Sequence, residues 1–326
     1  MSPGLASCEY SRTARSVEMR GTLHERKQVA FFLVAAALLS LNSVPRTAAA
    51  QAAPRTSLFN EDWLQAVISI ERESQDSKET CGEPAACPIG TGFLVFTKDR
   101  FQVLVTAAHV VRNDKTKEVL DRLRYRRTDV TADDAVISEA LLSKSKSKEG
   151  LIVGEWVFSA THDLAARVFG WTSDKDHNPR GVPDSAFLPA QAQSVGAPVL
   201  VLGFPVGLRS MTHRFPIART GIIARRQEQD LIVEAFVFPG NSGSPVIYVP
   251  SLRIAGTNGL TITSPLVPEE RLVGVVTSYI PYQEAAVSSQ TGRARVVFEE
   301  NSGLAYVVPA SVLSELLKDP RLHPKH

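Results

Sequence analysis

Apolar positions in this chain come in short runs separated by polar or glycine-rich breaks. Gly90-Thr91-Gly92-Phe93-Leu94-Val95-Phe96 reads as a strand, Lys98-Asp99-Arg100 turns it, and Phe101-Gln102-Val103-Leu104-Val105-Thr106 returns. Ala66 to Ile70 reads as an opening strand after a helical turn within Ser57 to Leu64. Further strands are expected at Leu151 to Ser159, Pro198 to Pro205, Leu231 to Phe238, Val246 to Val249, Leu272 to Ser278, Arg295 to Phe298 and Leu304 to Val308. The polar segments Gln75 to Ala86, Thr128 to Gly150 and Asp174 to Pro183 read as loops. Only the tail, Ser311 to Lys318, spaces its leucines as a helix does. Many short strands and one terminal helix argue an all-β sandwich or barrel.

The first 52 residues stand apart. Arg20, Arg26 and Lys27 precede the apolar run Val29 to Leu41, and Ala48-Ala49-Ala50 or Ala50-Gln51-Ala52 offer small-residue cleavage sites. This is the layout of an export signal with an extended leader, which starting at Met19 would shorten. The run is shorter than the ~20 residues of a spanning helix, so no stable membrane span is expected after cleavage. The protein is thus expected to be exported, to the periplasm or the extracellular space. About 270 residues remain as residues 53–326, enough for two small barrels, with no repeat or linker between them.

Charge narrows the partners. A net charge of +2 over 326 residues gives no field for nucleic acid. The one basic cluster, Arg122 to Arg127, alternates as the solvated face of a strand does. No cofactor is implied. Of three cysteines, Cys8 falls in the leader, leaving Cys81 and Cys87 as C-x5-C. In an exported protein two remaining cysteines most simply form a disulfide, stabilising the fold by roughly 2 kcal/mol. A metal would need more ligands nearby, and none is spaced to help.

The candidate chemistry centres on Pro239-Gly240-Asn241-Ser242-Gly243-Ser244-Pro245, a turn-rich run between two apolar stretches. Glycine there leaves the amides of Gly240 and Ser242 free to converge beside the Ser242 hydroxyl, which would give a nucleophile and a socket for an oxyanion; the other reading is a glycine-rich hairpin with a surface serine. Serine needs a base, and the base an orienting partner. His109 ends an apolar strand in the small-residue setting Thr106-Ala107-Ala108-His109. Asp163 heads the apolar segment Asp163-Leu164-Ala165. His162 beside it would point to the opposite face of a strand.

The order His109, Asp163, Ser242, with Gly90-Thr91-Gly92 ahead of it, resembles the chymotrypsin-fold serine proteases, and within them the high-temperature-requirement (HtrA-type) branch. Asn301-Ser302-Gly303-Leu304-Ala305-Tyr306-Val307-Val308-Pro309 is similar to that branch's final strand. The resemblance spans roughly Ala66 to Leu317. It implies two six-stranded antiparallel β-barrels with the site between them and a C-terminal helix. It also implies a serine endopeptidase acting on protein or peptide substrates through an acyl-enzyme. Ser242 would be the nucleophile, His109 the base, Asp163 its orienting group, and the Gly240 and Ser242 amides the oxyanion hole. The chain stops soon after Pro309, so the peptide-binding PDZ domain usual in that branch, and regulation through it, are not expected. Asn241 stands where trypsin-like zymogens carry an acid, so activity without an activating cut is expected. The position six before the nucleophile, Phe236, is expected to base the primary pocket, with Thr277 and Ser278 beside it. A small or apolar residue before the scissile bond follows. The competing readings are an inactive protease-fold protein that binds peptides or acts as a chaperone, and an esterase. The oligomeric state is not legible.

Overall fold

A computed structural model describes residues 59–60, 62–73, 86–120, 122–130, 135–142, 145–146, 152–171, 181–208, 215–227, 230–250, 253–255, 261–263 and 269–324. The expected leader over residues 1–52 and Cys81 lie outside the described residues. Among those described, no helix is long and apolar enough to cross a membrane.

The short helix α1 (Asp62–Ala66) leads into ten strands: β1 (Val67–Glu73), β2 (Ala86–Phe96), β3 (Phe101–Thr106), β4 (Leu123–Val130), β5 (Ala135–Leu141), β6 (Ser145–Lys146), β7 (Ile152–Val153), β8 (Trp156–Phe158), β9 (Ala165–Trp171) and β10 (Val182–Pro183). A single helical turn, α2 (Ala108–Val111), interrupts them after β3. The second half has β11 (Pro198–Gly203), β12 (Ile217–Arg226), β13 (Leu231–Glu234), β14 (Pro245–Tyr248), β15 (Arg253–Ala255), β16 (Thr261–Thr263), β17 (Arg271–Val287) and β18 (Ala294–Pro309), closed by α3 (Ala310–Leu316).

Two sheets carry the architecture. The second is a closed antiparallel barrel of six strands in the order β11-β12-β13-β18-β17-β14. The first has eight strands rather than six. Seven run antiparallel in the order β5-β4-β1-β2-β3-β9-β8, and β10 adds parallel to β2.

The unbroken apolar runs have a simple cause: side chains alternate between faces along a strand, and here both faces are covered. Phe93 and Val95 of β2, with Val103 and Val105 of β3, enter a core shared with Leu202, Ile247 and Leu272 of the barrel. Leu94 and Leu104 face a second cluster with Ile68, Ile70 and Val111. In the barrel, Leu272 and Val275 join the shared core while Val273 and Val276 fill the interior. Leu313 and Leu316 of α3 seal the shared core. Burying a leucine there contributes roughly 1.5–3 kcal/mol.

Further expectations fail. The last two residues of the expected Asp174 to Pro183 loop, Val182–Pro183, form β10. The Thr128 to Gly150 loop contains β5, which pairs with β4 from Arg124↔Leu141 to Val130↔Ala135. Its charged surroundings masked a short β-forming run. The basic cluster is no solvated face, because Arg126 is buried on β4 with its Nε 3.3 Å from Oε1 of buried Glu71. Finally, β17 and β18 run on past the barrel as one long ribbon. No strand is expected over residues 279–294, because the ribbon's outer part buries neither face and no alternation is imposed on it.

Candidate active site

The serine run folds as its residues dictate. Asn241 N–H donates to the Phe238 carbonyl at 2.9 Å, closing a turn with Pro239 and Gly240 at its centre. Proline fixes the first central position, and Gly240 takes φ +98°, the left-handed conformation of a type II turn. Buried Asn241 ties the turn from within: its Oδ1 accepts from Phe238 N–H at 3.1 Å, and its Nδ2 lies 3.4 Å from Ser244 Oγ. The Pro239 carbonyl accepts from Val206 N–H at 2.6 Å. A trans peptide points its N–H opposite its carbonyl, so the Gly240 N–H faces away from Val206. Among the described residues, no hydrogen bond engages the N–H of Gly240 or of Ser242.

The first sheet grips this turn. Thr91 Oγ1, on β2, donates to the Gly240 carbonyl at 2.6 Å and accepts from Phe204 N–H at 3.1 Å. Thr91 N–H donates to the Ser242 carbonyl at 2.8 Å, and Thr106 Oγ1 donates to the Thr91 carbonyl at 2.7 Å. Gly243, at φ +87°, sits so close that a Cβ there would lie 1.9 Å from the Thr91 carbonyl oxygen.

His109 sits on α2, immediately after β3, among the buried residues Ala107, Ala108 and Val110. Asp163 reaches it from the bend before β9, where Leu164 N–H donates to the His162 carbonyl at 2.8 Å. Asp163 Oδ2 lies 2.6 Å from His109 Nδ1, and its Oδ1 accepts from the His109 backbone N–H at 2.9 Å. The pair puts the Nδ1 proton toward the carboxylate and leaves Nε2 with its lone pair. Burial alone would lower the imidazole pKa, but the hydrogen bond to Asp163 and its charge outweigh that and raise it. Burial likewise would raise the Asp163 carboxyl, yet the bond from His109 holds it below the usual carboxylate range.

His109, Asp163, Ser242, Thr277, Ser278 and Tyr279 line one cleft of about 450 Å³. Asp114 and Asn241 line it too. Ser242 Oγ donates to the Thr277 carbonyl at 3.1 Å. A larger depression of about 640 Å³ beside Trp63 and Glu270 contains neither a serine nor a histidine. The expected pocket base is corrected: Phe236 is 60% exposed and does not line the cleft. β13 ends at Glu234, Ala235 N–H bonds to the Gly303 carbonyl at 2.8 Å, and the Phe236 ring lies about 3.7 Å from where a Cβ on Gly303 would stand. His162 turns elsewhere, with its Nδ1 2.8 Å from Thr161 Oγ1. Cys87 is buried on β2, opposite Arg72 of β1. Among the described residues no cluster of three or more His, Cys, Asp or Glu is placed to hold a metal.

Sequence reasoning passed over Thr91 and Thr106 as strand residues and did not single out Asp114. A hydroxyl between two glycines, as in Gly90-Thr91-Gly92, was the available signal: a buried strand there must use it.

Residues 90–251 match the family described as trypsin-like peptidase domain. No curated protein matches the chain in sequence. Among solved structures, the chain is similar to the HtrA-type protease AlgW, as a serine-to-alanine variant, with a tripeptide. That match has 15% identity and a TM-score of 0.44, covering 81% of this chain and 62% of that one. The same variant with a decapeptide matches at 14% identity and a TM-score of 0.41, covering 80% and 65%. The chain therefore spans less than two thirds of the length of either structure. With its β-sheets, its closed six-stranded barrel and the matched segment holding His109, Asp163 and Ser242, the chain carries a trypsin-like peptidase domain of the chymotrypsin-like fold.

Proposed function

We propose that the protein is a serine endopeptidase that cleaves peptide bonds through an acyl-enzyme on Ser242. The observation that supports it most is the His109–Asp163 pair, at 2.6 Å, opening onto the cleft that Ser242 lines. Ser242 Oγ attacks the scissile carbonyl after rotating from the Thr277 carbonyl, and Nε2 of His109 takes its proton. Asp163 keeps the ring in the tautomer that leaves Nε2 free. The carbonyl oxygen becomes an oxyanion and accepts from the N–H groups of Gly240 and Ser242. His109 then hands its proton to the leaving amine. Water, deprotonated by His109 in turn, attacks the acyl carbonyl; the bond from that carbonyl to Ser242 Oγ breaks, and His109 returns the proton to Oγ.

Asn241 supports a site complete without an activating cut. A zymogen acid at this position needs a new amine to neutralise it, whereas the neutral amide of Asn241 meets its partners inside the turn. Thr277 and Ser278 give the wall against which a small or apolar side chain before the scissile bond would pack. Export with loss of the leader completes the proposal and rests on the sequence pattern alone; a disulfide between Cys81 and Cys87 is supported by that pattern and by the disulfide-bonded state of Cys87. A second reading, a protease fold that binds peptides without cleaving them, is favoured by one contact: the Ser242 hydroxyl is engaged by Thr277 rather than by His109.

A fluorophosphonate probe separates the two. The endopeptidase reading expects covalent labelling of Ser242, none in Ser242→Ala or His109→Ala, and loss of casein hydrolysis by on the order of a millionfold in either variant. Unlabelled, folded wild-type protein that still binds casein peptides would establish the second reading.

A further inference from the structure

Beyond the barrel, β17 and β18 continue as a two-stranded ribbon from Pro281↔Asn301 to Val287↔Ala294. Such a ribbon is marginal alone in water. Yet it displays Tyr282, Val287, Val296, Val297 and Phe298, each at least half exposed. Its two edges differ. Proline at 281 removes a donor from β17. On β18, residues Ala294 to Glu300 contain no proline and all are exposed. β13 takes up that edge only from Leu304 onward. Between them, Asn301 Nδ2 donates to the Val237 carbonyl at 2.5 Å, so the Phe236-Val237 segment covers the edge there. Among the described residues no strand pairs with Ala294 to Glu300 on that side, so these seven present a bare row of backbone donors and acceptors, a template for pairing with another chain.

The sequence of this edge identifies its occupant. Ala294-Arg295-Val296-Val297-Phe298-Glu299-Glu300 is basic at one end, acidic at the other and apolar between. Laid antiparallel on itself about Val297, it sets Val297 against Val297, Val296 against Phe298 and Arg295 against Glu299. Two-fold symmetry makes each of the last two contacts twice. Laid parallel, it stacks arginine on arginine and glutamate on glutamate. Glu299 already accepts from Gln283 Nε2 at 3.1 Å and from the Tyr279 hydroxyl; a carboxylate has further lone pairs for an arginine. We propose that the β18 edge pairs with the same edge of a second copy of this chain, forming a four-stranded antiparallel sheet with its two-fold axis at Val297.

Sedimentation equilibrium on the full chain over a dilution series tests this. A reversible dimer is expected. Arg295→Glu or Glu299→Arg alone should weaken it at least about tenfold, since each removes two opposite-charge pairs and creates two like-charge ones. The double variant Arg295→Glu with Glu299→Arg should recover to within a few fold of wild type. Hydrogen exchange on unaltered protein reads the same edge should a variant fold poorly: amides of residues 294–300 should gain protection as concentration rises. A protein monomeric throughout, an oligomer indifferent to either reversal, a double variant no tighter than the singles, or amides of residues 294–300 unchanged by concentration would each overturn the proposal.

Discussion

Asp163 holds His109 at two points: its Oδ2 lies 2.6 Å from the ring Nδ1, and its Oδ1 accepts from the same residue's backbone N–H at 2.9 Å. One carboxylate thereby fixes both the ring's tautomer and the helical turn that carries it. In the proposed role of base His109 must be neutral, and its pKa is raised from 6.5 by the hydrogen bond and charge of Asp163, against the opposing effect of burial. The acidic limb of kcat/KM should therefore fall at a pH above 6.5. Activity is present above that pKa and lost as pH drops through it. Asp163→Asn removes the charge, so kcat should drop about 10⁴-fold and the remaining limb should move to lower pH. A pH–rate profile of both proteins on a chromogenic peptide checks the shift.

Gly240 and Gly292 both adopt left-handed backbone, at φ +98° and +65°, but in different surroundings. A Cβ on Gly240 would lie 2.3 Å from the Phe204 carbonyl oxygen, whereas one on Gly292 would meet nothing within 4 Å. Gly240→Ala should turn the donor peptide and reduce kcat by about a hundred- to a thousandfold, as loss of an oxyanion donor does. Gly292→Ala should cost only about 1 kcal/mol of stability and leave kcat unchanged. Steady-state kinetics with thermal melts on both variants tests the contrast.

Thr91 is a positioning residue, joining β2 to the serine turn through hydrogen bonds at both sides of its hydroxyl. Thr91→Val keeps the shape but strands the Gly240 carbonyl and the Phe204 N–H in a buried site. Stability should fall by about 1–3 kcal/mol, with a loss in kcat that exceeds any change in KM. Thr91→Ser should restore most of kcat. Equal behaviour of the two variants would assign Thr91 to packing alone.

Arg126 and Glu71 form a buried ion pair across β4 and β1, with side chains 8% and 2% exposed. Arg126→Met alone takes a cation from beside a buried carboxylate and should destabilise the fold by about 3–5 kcal/mol. Adding Glu71→Leu should recover most of that, because the cost lies in a buried charge that has lost the Arg126 guanidinium. Urea unfolding of the single and double variants measures the coupling.

Much of the fold was legible where burial imposed a pattern. The hairpin of β2 and β3 was readable to the residue at its return strand, because Phe101 to Thr106 lies between two cores that demand apolar side chains on both faces. β5 and the outer ribbon were not, because β5 sits among charges and the outer ribbon packs on nothing that selects for a repeat. The candidate site divides the same way. Ser242 and His109 stood out through the small residues that close packing requires around them. Phe236 was misplaced because spacing along the chain carries no information about the bend at Ala235, where the strand gives way and the ring swings outward.

Local periodicity and runs of small residues were enough to read off the all-β character, the terminal helix and the three residue types that acyl transfer requires. Folding alone brings Asp163 to the imidazole and its backbone together, fastens Thr91 to the turn at Gly240, and makes a buried pair out of one charged cluster. Those contacts join residues tens to more than a hundred positions apart, and only the sheet register sets such distances.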